Sequence, residues 1–395
     1  MLLRTKGQAR SLLSADQILR SPEFRRLLRS GMSSGNAQPT GTEDDESSDA
    51  SDKGDPPSFG ATVLRGAGQV IFLNSPASGS VILGGLAVAD PYLATLTLAG
   101  AATSTLSAQV GGLDRVSLND GLWGYNGALV GCVTAVFLHP LPESIAGAAD
   151  AASIMSSPVS MNTAAWGLAS TAMGASIAPF VGLALRETMG GVPQWTIAFN
   201  AIALGALLRT QPLAAAAQKC STADEIAPEA STAAISSLDP TILMAAPLRG
   251  ISEIFVVDSA ISGGAIVGAT ALYSPGLAAH LLLGSIVGSA TGYILCDAPM
   301  EEIANGLWGY NAALTSIGVG VFFVHSSRTV LLSVGGASAT AGVFAALKGV
   351  FGAFGAPCLT LPFCTVMSGC YVLGRGGVPG LALASSPHSP ERNQI

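Results

Sequence analysis

The chain has 395 residues, of which 49% are apolar and only 11% charged, with a mean hydropathy of +0.51 and a formal net charge of −7. A soluble domain carries about 25% charged residues, so this composition excludes an ordinary soluble globule and points to lipid. The net charge says little about a binding surface: residues 1–30 carry seven Lys or Arg (Arg4, Lys6, Arg10, Arg20, Arg25, Arg26, Arg29) against Asp16 and Glu23, whereas Glu43 to Asp55 carries seven acids against Lys53.

Residues 1–58 are rich in Ser, Gly, Pro and charge, lack a periodic apolar pattern, and read as a disordered tail. The basic start has the Arg-rich character of an organellar transit peptide or of a cytosolic tail obeying the positive-inside tendency. No apolar run follows it, so no secretory signal is read. A first membrane unit is expected over residues 59–213, and a polar linker over 214–237, where Lys219, Asp224, Glu225 and Glu229 sit among Ala, Ser and Thr. A second unit covers 238–377, and a polar tail with Ser386, Pro387, His388 and Arg392 closes the chain over 378–395. Ser262 to Cys296 contains no Asp, Glu, Lys or Arg, room for about two crossings at about 20 residues each. Charge-poor stretches also run over Ala164–Leu185, Tyr310–Ser327, Thr329–Leu347 and Gly349–Gly374, more than a soluble core absorbs. The 48 glycines, with abundant Ala and Ser, suit helices that approach closely in lipid. A β-barrel would alternate apolar and polar residues, and this chain does not.

The string GLWGYN occurs at Gly121–Asn126 and again at Gly306–Asn311, an offset of 185 residues. Upstream, LRGAGQVIFLNSPASG (Leu64–Gly79) aligns without a gap on LRGISEIFVVDSAISG (Leu248–Gly263), an offset of 184. A third pair, VPQWTIAFN (Val192–Asn200) and APCLTLPFC (Ala356–Cys364), is offset by 164, so the intervening loops are shorter in the second half. A period this long is a domain-scale duplication rather than a solenoid. In an apolar protein it usually means two membrane half-bundles flanking a pathway. The expected fold is an all-α multi-pass membrane protein of two inverted-topology repeats, each of about five transmembrane helices plus a re-entrant half-helix, around one central pore per protomer.

The LRGxxQ/E, GxxGYN and Thr-x-x-Phe blocks, occurring twice in one order, together resemble the urea transporter family over about residues 60–375. The resemblance implies passive, channel-like passage of urea across a lipid bilayer through a narrow selectivity filter, in a homotrimer with one pore per protomer. It implies no cofactor, and a plasma or organellar membrane as the site of residence. Tyr125 and Leu129 in the first repeat, and Tyr310 and Leu314 in the second, fall at the family's slot positions, with Phe72 and Ile254 as further walls. Thr196 and Thr360 offer hydroxyls near mid-membrane, and Gln69 and Glu253, which occupy the same place in the two repeats, offer acceptor oxygens at the two filter ends. Three departures stand out: Ala198 where Pro is usual although Pro362 is kept, Cys364 in place of the Asn that Asn200 supplies, and tyrosines where Phe is common.

Each residue also has a plainer reading. Gln69 would serve as a buried amide bridging helices. An ionised Glu253 is costly in a bilayer, so it is neutral, reached by water, or paired with Arg249 one turn earlier. Arg65 and Arg249 read as serving interfaces or helix ends by snorkelling. Asn126 and Asn311 either touch solute or tie helix backbone together, and Trp123 and Trp308 read as pore-mouth residues or, in preference, as membrane-interface anchors. Asp114, Arg115 and Asp120, mirrored by Glu301 and Glu302, belong in short solvent-facing loops.

Enzymatic readings find no support. The six cysteines lack metal-ligand or disulfide-framework spacing, the four histidines are scattered, and no HExxH, GxSxG or P-loop motif occurs. No metal, cofactor or nucleic-acid partner is expected. The rivals are an H+- or Na+-coupled transporter of a small polar solute, for which Glu253 and Asp258 are the candidates, a channel for another small neutral amide, water, ammonia or formate, and a membrane scaffold or sensor without a working pore.

Overall fold

The computed structural model describes residues 57–141, 158–221 and 240–394. Almost all of the expected N-terminal tail and most of the expected linker lie outside the described residues.

Helices start where the sequence supplies a side-chain acceptor followed by proline. Ser75 caps α2 (Pro76–Ala89), Asp90 caps α3 (Pro91–Val110) and Ser274 caps α10 (Pro275–Leu295), each accepting from a first-turn amide. Proline at the first helical position loses no hydrogen bond there, and the acceptor satisfies an otherwise orphaned N–H. In chain order the first half comprises α1 (Phe59–Gly68), a 3-10 turn at Gln69–Ile71, α2, α3, the short α4 (Arg115–Asn119), α5 (Tyr125–Val133), α6 (Pro158–Thr188) and α7 (Ile197–Ser221). The second half repeats that order: α8 (Pro240–Ser252), a 3-10 turn at Glu253–Phe255, α9 (Ala260–Tyr273), α10, the short α11 (Met300–Ala304), α12 (Tyr310–Phe322), α13 (Ser327–Gly352) and α14 (Leu361–Arg375). Because α7 runs to Ser221, the start of the expected linker is helix.

The duplication extends to irregular backbone. The segment Phe59–Ile71 meets Pro76–Ala89 at a 74° bend, and Met244–Phe255 meets Ala260–Tyr273 at 80°. Each bend follows a 3-10 turn closed by a left-handed residue, Phe72 (φ 65) and Val256 (φ 60). The halves join reciprocally: Ser78 Oγ donates to the Ala269 carbonyl (3.3 Å) and its counterpart Ser262 Oγ donates to the Gly85 carbonyl (2.8 Å). Equivalent residues exchanging equivalent bonds is the contact pattern of a two-fold axis.

Among the described residues three helical segments are long and apolar enough to cross a membrane (Ser160–Thr188, Pro275–Leu295, Ser327–Gly352), or five if each bent pair is one span. Three other apolar helices, Tyr125–Leu138, Ile197–Thr210 and Tyr310–Phe322, are shorter. The count by length is therefore below the expected five per half, because several helices stop or bend within the bundle.

The GLWG turns show why their glycines recur. Gly121 (φ 74) and Gly306 (φ 83) have left-handed backbone. A Cβ on Gly121 would lie 2.6 Å from the Gly66 nitrogen of the LRG block, and one on Gly306 would overlap the equivalent Gly250 nitrogen. The two blocks are thus pressed together with no room for a side chain.

The C-terminal segment, expected as a polar tail, folds back onto α12. Val324 and Ala384 amides bond the Ala382 and Phe322 carbonyls (both 2.9 Å), and Asn393 Nδ2 donates to the carbonyls of Gly320, Val321 and Phe323 at 2.8–3.1 Å. Glu391 accepts from Gly276 N (2.6 Å) and Ser274 Oγ (2.7 Å) at the start of α10. Burial alone would raise its carboxyl, but the bonds from Ser274, its own backbone, Gly276 and Ser389 outweigh it and hold the group at about 2.

Gly306→Ala is expected to destabilise the protein by about 2 kcal/mol or more through strained φ and backbone overlap, read as a lowered unfolding temperature in detergent. Since the folded Glu391 carboxyl lies below its ordinary value of 4.5, its contribution is present above about pH 4.5 and is lost as pH falls towards 2. Amide-exchange protection at Ala384, corrected for intrinsic rate, should fall over that range in the native protein, and Glu391→Gln should remove the pH dependence.

Candidate functional site

Two helices begin inside the protein. Thr196 and Thr360 stand directly before α7 and α14, are 3% and 4% exposed, and bring their hydroxyls 2.7 Å apart. Each follows a left-handed non-glycine residue, Trp195 (φ 49) and Leu359 (φ 48), so the chain turns sharply at both breakpoints. A helix start leaves its first amides without intrahelical partners, and in a dry interior each orphan costs about 1–3 kcal/mol. Here the partners come from other helices. Asn126 Oδ1 accepts from Phe199 N (3.1 Å) and Asn311 Oδ1 from Phe363 N (3.2 Å). Asn200 Oδ1 accepts from Thr360 N (3.1 Å), while its Nδ2 donates to the Thr196 carbonyl and to Thr360 Oγ1, both at 2.8 Å. Asn126 and Asn311 therefore tie helix backbone together, the plainer of their two readings.

The centre is not symmetric. Cys364 sits where a second Asn would stand and touches Thr196 Oγ1 at 3.2 Å. A thiol lacks an amide's separate donor and acceptor, so Thr360 is held by Asn200 in a way that Thr196 is not held by Cys364.

Thr196 lines a cavity of about 470 Å³ together with Gln69, Phe72, Tyr125, Gln194 and Trp195. Its walls are aromatic: the rings of Phe72, Trp195, Phe322 and Phe363 meet edge to face with centroids 5.1–6.4 Å apart. Such edge-to-face packing satisfies the ring quadrupoles. Gln69 Nε2 donates to the Asp120 carbonyl at 2.8 Å, so its own oxygen is left as an acceptor. The exposed Arg186 also borders the cavity.

Of the residues singled out in the sequence, Gln69, Phe72, Tyr125 and Thr196 share this cavity, and Thr360 joins it through Thr196. Leu129 and Leu314 lie one turn after the tyrosines and are each 1% exposed. Tyr125 Oη donates to the Trp195 carbonyl at 2.5 Å and Tyr310 Oη to the Leu359 carbonyl at 2.6 Å. Glu253 opens its 3-10 turn as Gln69 does, half-buried, and receives no hydrogen bond on its carboxylate from the described residues. Ile254 is 2% exposed, as is Val70, its counterpart at offset 184; the residue equivalent to Phe72 is Val256, left-handed like it. Neither Glu253, Ile254, Tyr310 nor Leu314 borders the cavity.

Both arginines of the LRG blocks are engaged: Arg249 pairs with Asp258 at 3.3 Å and not with Glu253, and Arg65 Nη1 binds the Asn119 carbonyl at 2.7 Å at the end of α4, a helix-end role. Trp123 and Trp308 are buried, 8% and 4% exposed; Trp123 borders the cavity, and Trp308 places Nε1 on Glu302 at 2.9 Å and its ring against Phe344. Sequence reasoning did not single out Gln194, Trp195, Phe322 and Phe363; Gln194, Trp195 and Phe363 lie in the third repeated pair, and only Phe322 lies outside the repeated strings.

The sequence model described as "UT: Urea transporter" matches residues 61–375. The chain belongs to the urea transporter family. The protein named urea transporter 1 from Ovis aries is 32% identical over 308 residues, covering 76% of this chain and 73% of that protein. Urea transporter 1 from Mus musculus is 29% identical over 309 residues with the same coverage, 76% and 73%. Membership makes this an integral, multi-pass membrane protein of a transport family and not an enzyme, as its motifs and composition lead one to expect.

Replacing Asn200, 1% exposed, by Leu removes the acceptor for Thr360 N and the donor to two oxygens. We expect a loss of about 2 kcal/mol or more in stability, measured as a lowered unfolding temperature of the detergent-solubilised protein.

Proposed function

We propose that this urea transporter family member conducts urea passively, in single file, through one narrow pore between its two halves. The observation that carries the reading is the convergence of two buried helix starts, with Thr196 and Thr360 in contact, beside an aromatic-walled cavity whose side-chain acceptor is Gln69. Urea is flat and neutral, with four N–H donors and one acceptor oxygen. Ring faces accept its plane, hydroxyls and amide oxygens receive its N–H groups, and hydrated ions gain nothing there to replace their water. Two helix N-termini aimed at one point add positive partial charge, which opposes cations and leaves a neutral solute unaffected. In this reading Tyr125, Leu129, Tyr310 and Leu314 form the slots with Phe72 and Ile254, while Gln69 and Glu253 receive N–H groups at the two ends.

The two-fold relation, with its axis in the membrane plane, inverts the halves. Each then carries about five crossings, the bent pairs and half-helices supplying the irregular backbone that membranes tolerate only around a cavity. By family resemblance the assembly is a homotrimer in the plasma membrane with one pore per protomer. The second reading, proton- or sodium-coupled transport, rests on Glu253, whose carboxylate receives no hydrogen bond from the described residues.

Stopped-flow light scattering on proteoliposomes tests the proposal. Urea flux at matched pH without Na+ is expected, and flux appearing only under an imposed H+ or Na+ gradient would move the protein to the coupled class. Thr360→Val should slow urea about fivefold, the equivalent of about 1 kcal/mol for one net hydrogen bond. Loss of flux in Glu253→Gln with none in Thr360→Val would favour proton coupling instead.

A further inference from the structure

We propose that the C-terminal segment takes part in solute selection: Asn393 caps the end of α12 and through it holds Phe322 in the aromatic wall of the cavity. The inference rests on the pore reading above. A helix leaves its last four carbonyls without intrahelical partners. At the end of α12 the Val319 carbonyl takes the Phe323 amide (3.1 Å), and the other three are met from far along the chain. Asn393 Nδ2 donates to the carbonyls of Gly320 (3.1 Å) and Val321 (2.8 Å), and the Ala384 amide donates to that of Phe322 (2.9 Å). Asn393 is 8% exposed, so little water stands ready to replace it. The segment is itself anchored on both sides of this cap. Asn393 Oδ1 accepts from His388 N (2.9 Å), the His388 ring stacks on Tyr273 with centroids 5.2 Å apart, and Glu391 grips the start of α10.

Phe322 is the last residue of α12 and a wall of the cavity. Its ring meets those of Trp195 at 5.1 Å, Phe72 at 5.8 Å and Tyr371 at 6.0 Å, so a shift of the last helical turn moves a ring that supports two other wall residues. The first half shows the alternative. There Phe137, the counterpart of Phe322 at offset 185, lies in a π-helical turn at Thr134–Leu138, is 44% exposed and does not border the cavity. In that turn the Thr134 carbonyl is met by the next residue of the same strand of chain, His139 N at 2.9 Å. The phenylalanine joins the wall in the half whose helix end the C-terminal segment grips. With the cap removed, the last turn of α12 frays and Phe322 leaves the wall. The wider opening favours a bulkier solute more than it favours urea.

The test measures entry of urea and of N,N′-dimethylurea into proteoliposomes for the native protein, Phe322→Ala, Asn393→Leu and the double variant. Leucine is close to asparagine in size and donates nothing. The urea-to-dimethylurea permeability ratio should fall about threefold in each single variant, the low end of the coupling between groups in contact. In the double variant it should fall no further than in Phe322→Ala alone, because Asn393 acts through that ring. An unchanged ratio in either single variant overturns the proposal. So do effects that add in the double variant, which would place the action of Asn393 elsewhere, and an equal fall in both fluxes, which would mean only that less protein is folded. If Asn393→Leu conducts neither solute, Asn393→Asp, which keeps the acceptor for His388 N, decides on the same ratio, and silence in both overturns the proposal. Absence of urea flux in the native protein would instead sink the pore reading itself, so the two failures are separable.

Discussion

The arrangement at the centre depends on two helices that start with their first amides buried inside the protein. An unpaired N–H in such a place costs more than a made hydrogen bond returns, so acceptors must be brought in from elsewhere in the chain. Asn126 and Asn311 supply them, each on the first turn of a helix that follows a GLWG turn. Those turns hold their position because Gly121 and Gly306 press against the backbone of the LRG blocks. The three blocks that recur in both halves are thereby three parts of one structure: LRG carries the turn, the turn carries the Tyr-Asn pair, and the pair grips the helix start at Thr-x-x-Phe. Loss of the GLWGYN block would leave the other two without a partner.

The duplicated frame holds an unequal interior. The exchange between Ser78 and Ser262 obeys the two-fold relation, as do the left-handed pairs Phe72 with Val256 and Trp195 with Leu359. Side chains break it. Phe72 has an aromatic ring where Val256 has none, and Asn200 has an amide where Cys364 has a thiol. The aromatic cavity accordingly forms around Phe72, and the firmer cap falls on α14. Backbone constraints impose the symmetry, because both helix breaks need the same turns. Nothing of that kind constrains the side chains that line the space between them.

How far this was legible in the sequence follows from what each feature is made of. The duplication and its three blocks were visible because each is a local string. Asn126 and Asn311 were readable as helix ties because a buried amide has both donor and acceptor to place. The gapless offset of 184 pairs Phe72 with Val256, so the repeat by itself already argues against treating Ile254 as the second-half equivalent of that wall. Of the aromatic wall only Phe72 was legible: Trp195, Phe322 and Phe363 come from other segments, and no periodicity links them to it. The C-terminal segment read as a tail because its apolar contribution is small, Leu381 and Leu383, and single polar side chains, Asn393 and Glu391, fix the rest.

The difference between Gln69 and Glu253 bears most directly on what passes. Both open a 3-10 turn at a helix bend, and both have an arginine one turn earlier. Yet Arg249 is spent on Asp258 and Arg65 on a backbone carbonyl, so neither neutralises the residue at the bend. A carboxylate without a counter-ion would draw cations to one end of the proposed path. Further in, they would meet the converging N-termini of α7 and α14, which carry partial positive charge and whose amides are already occupied. An anion meets the reverse order, repelled at the carboxylate before it reaches the centre. On the proposed path a neutral solute would carry no net charge through either region, so an acidic mouth before a positively poised centre would favour neutral solutes without any gate.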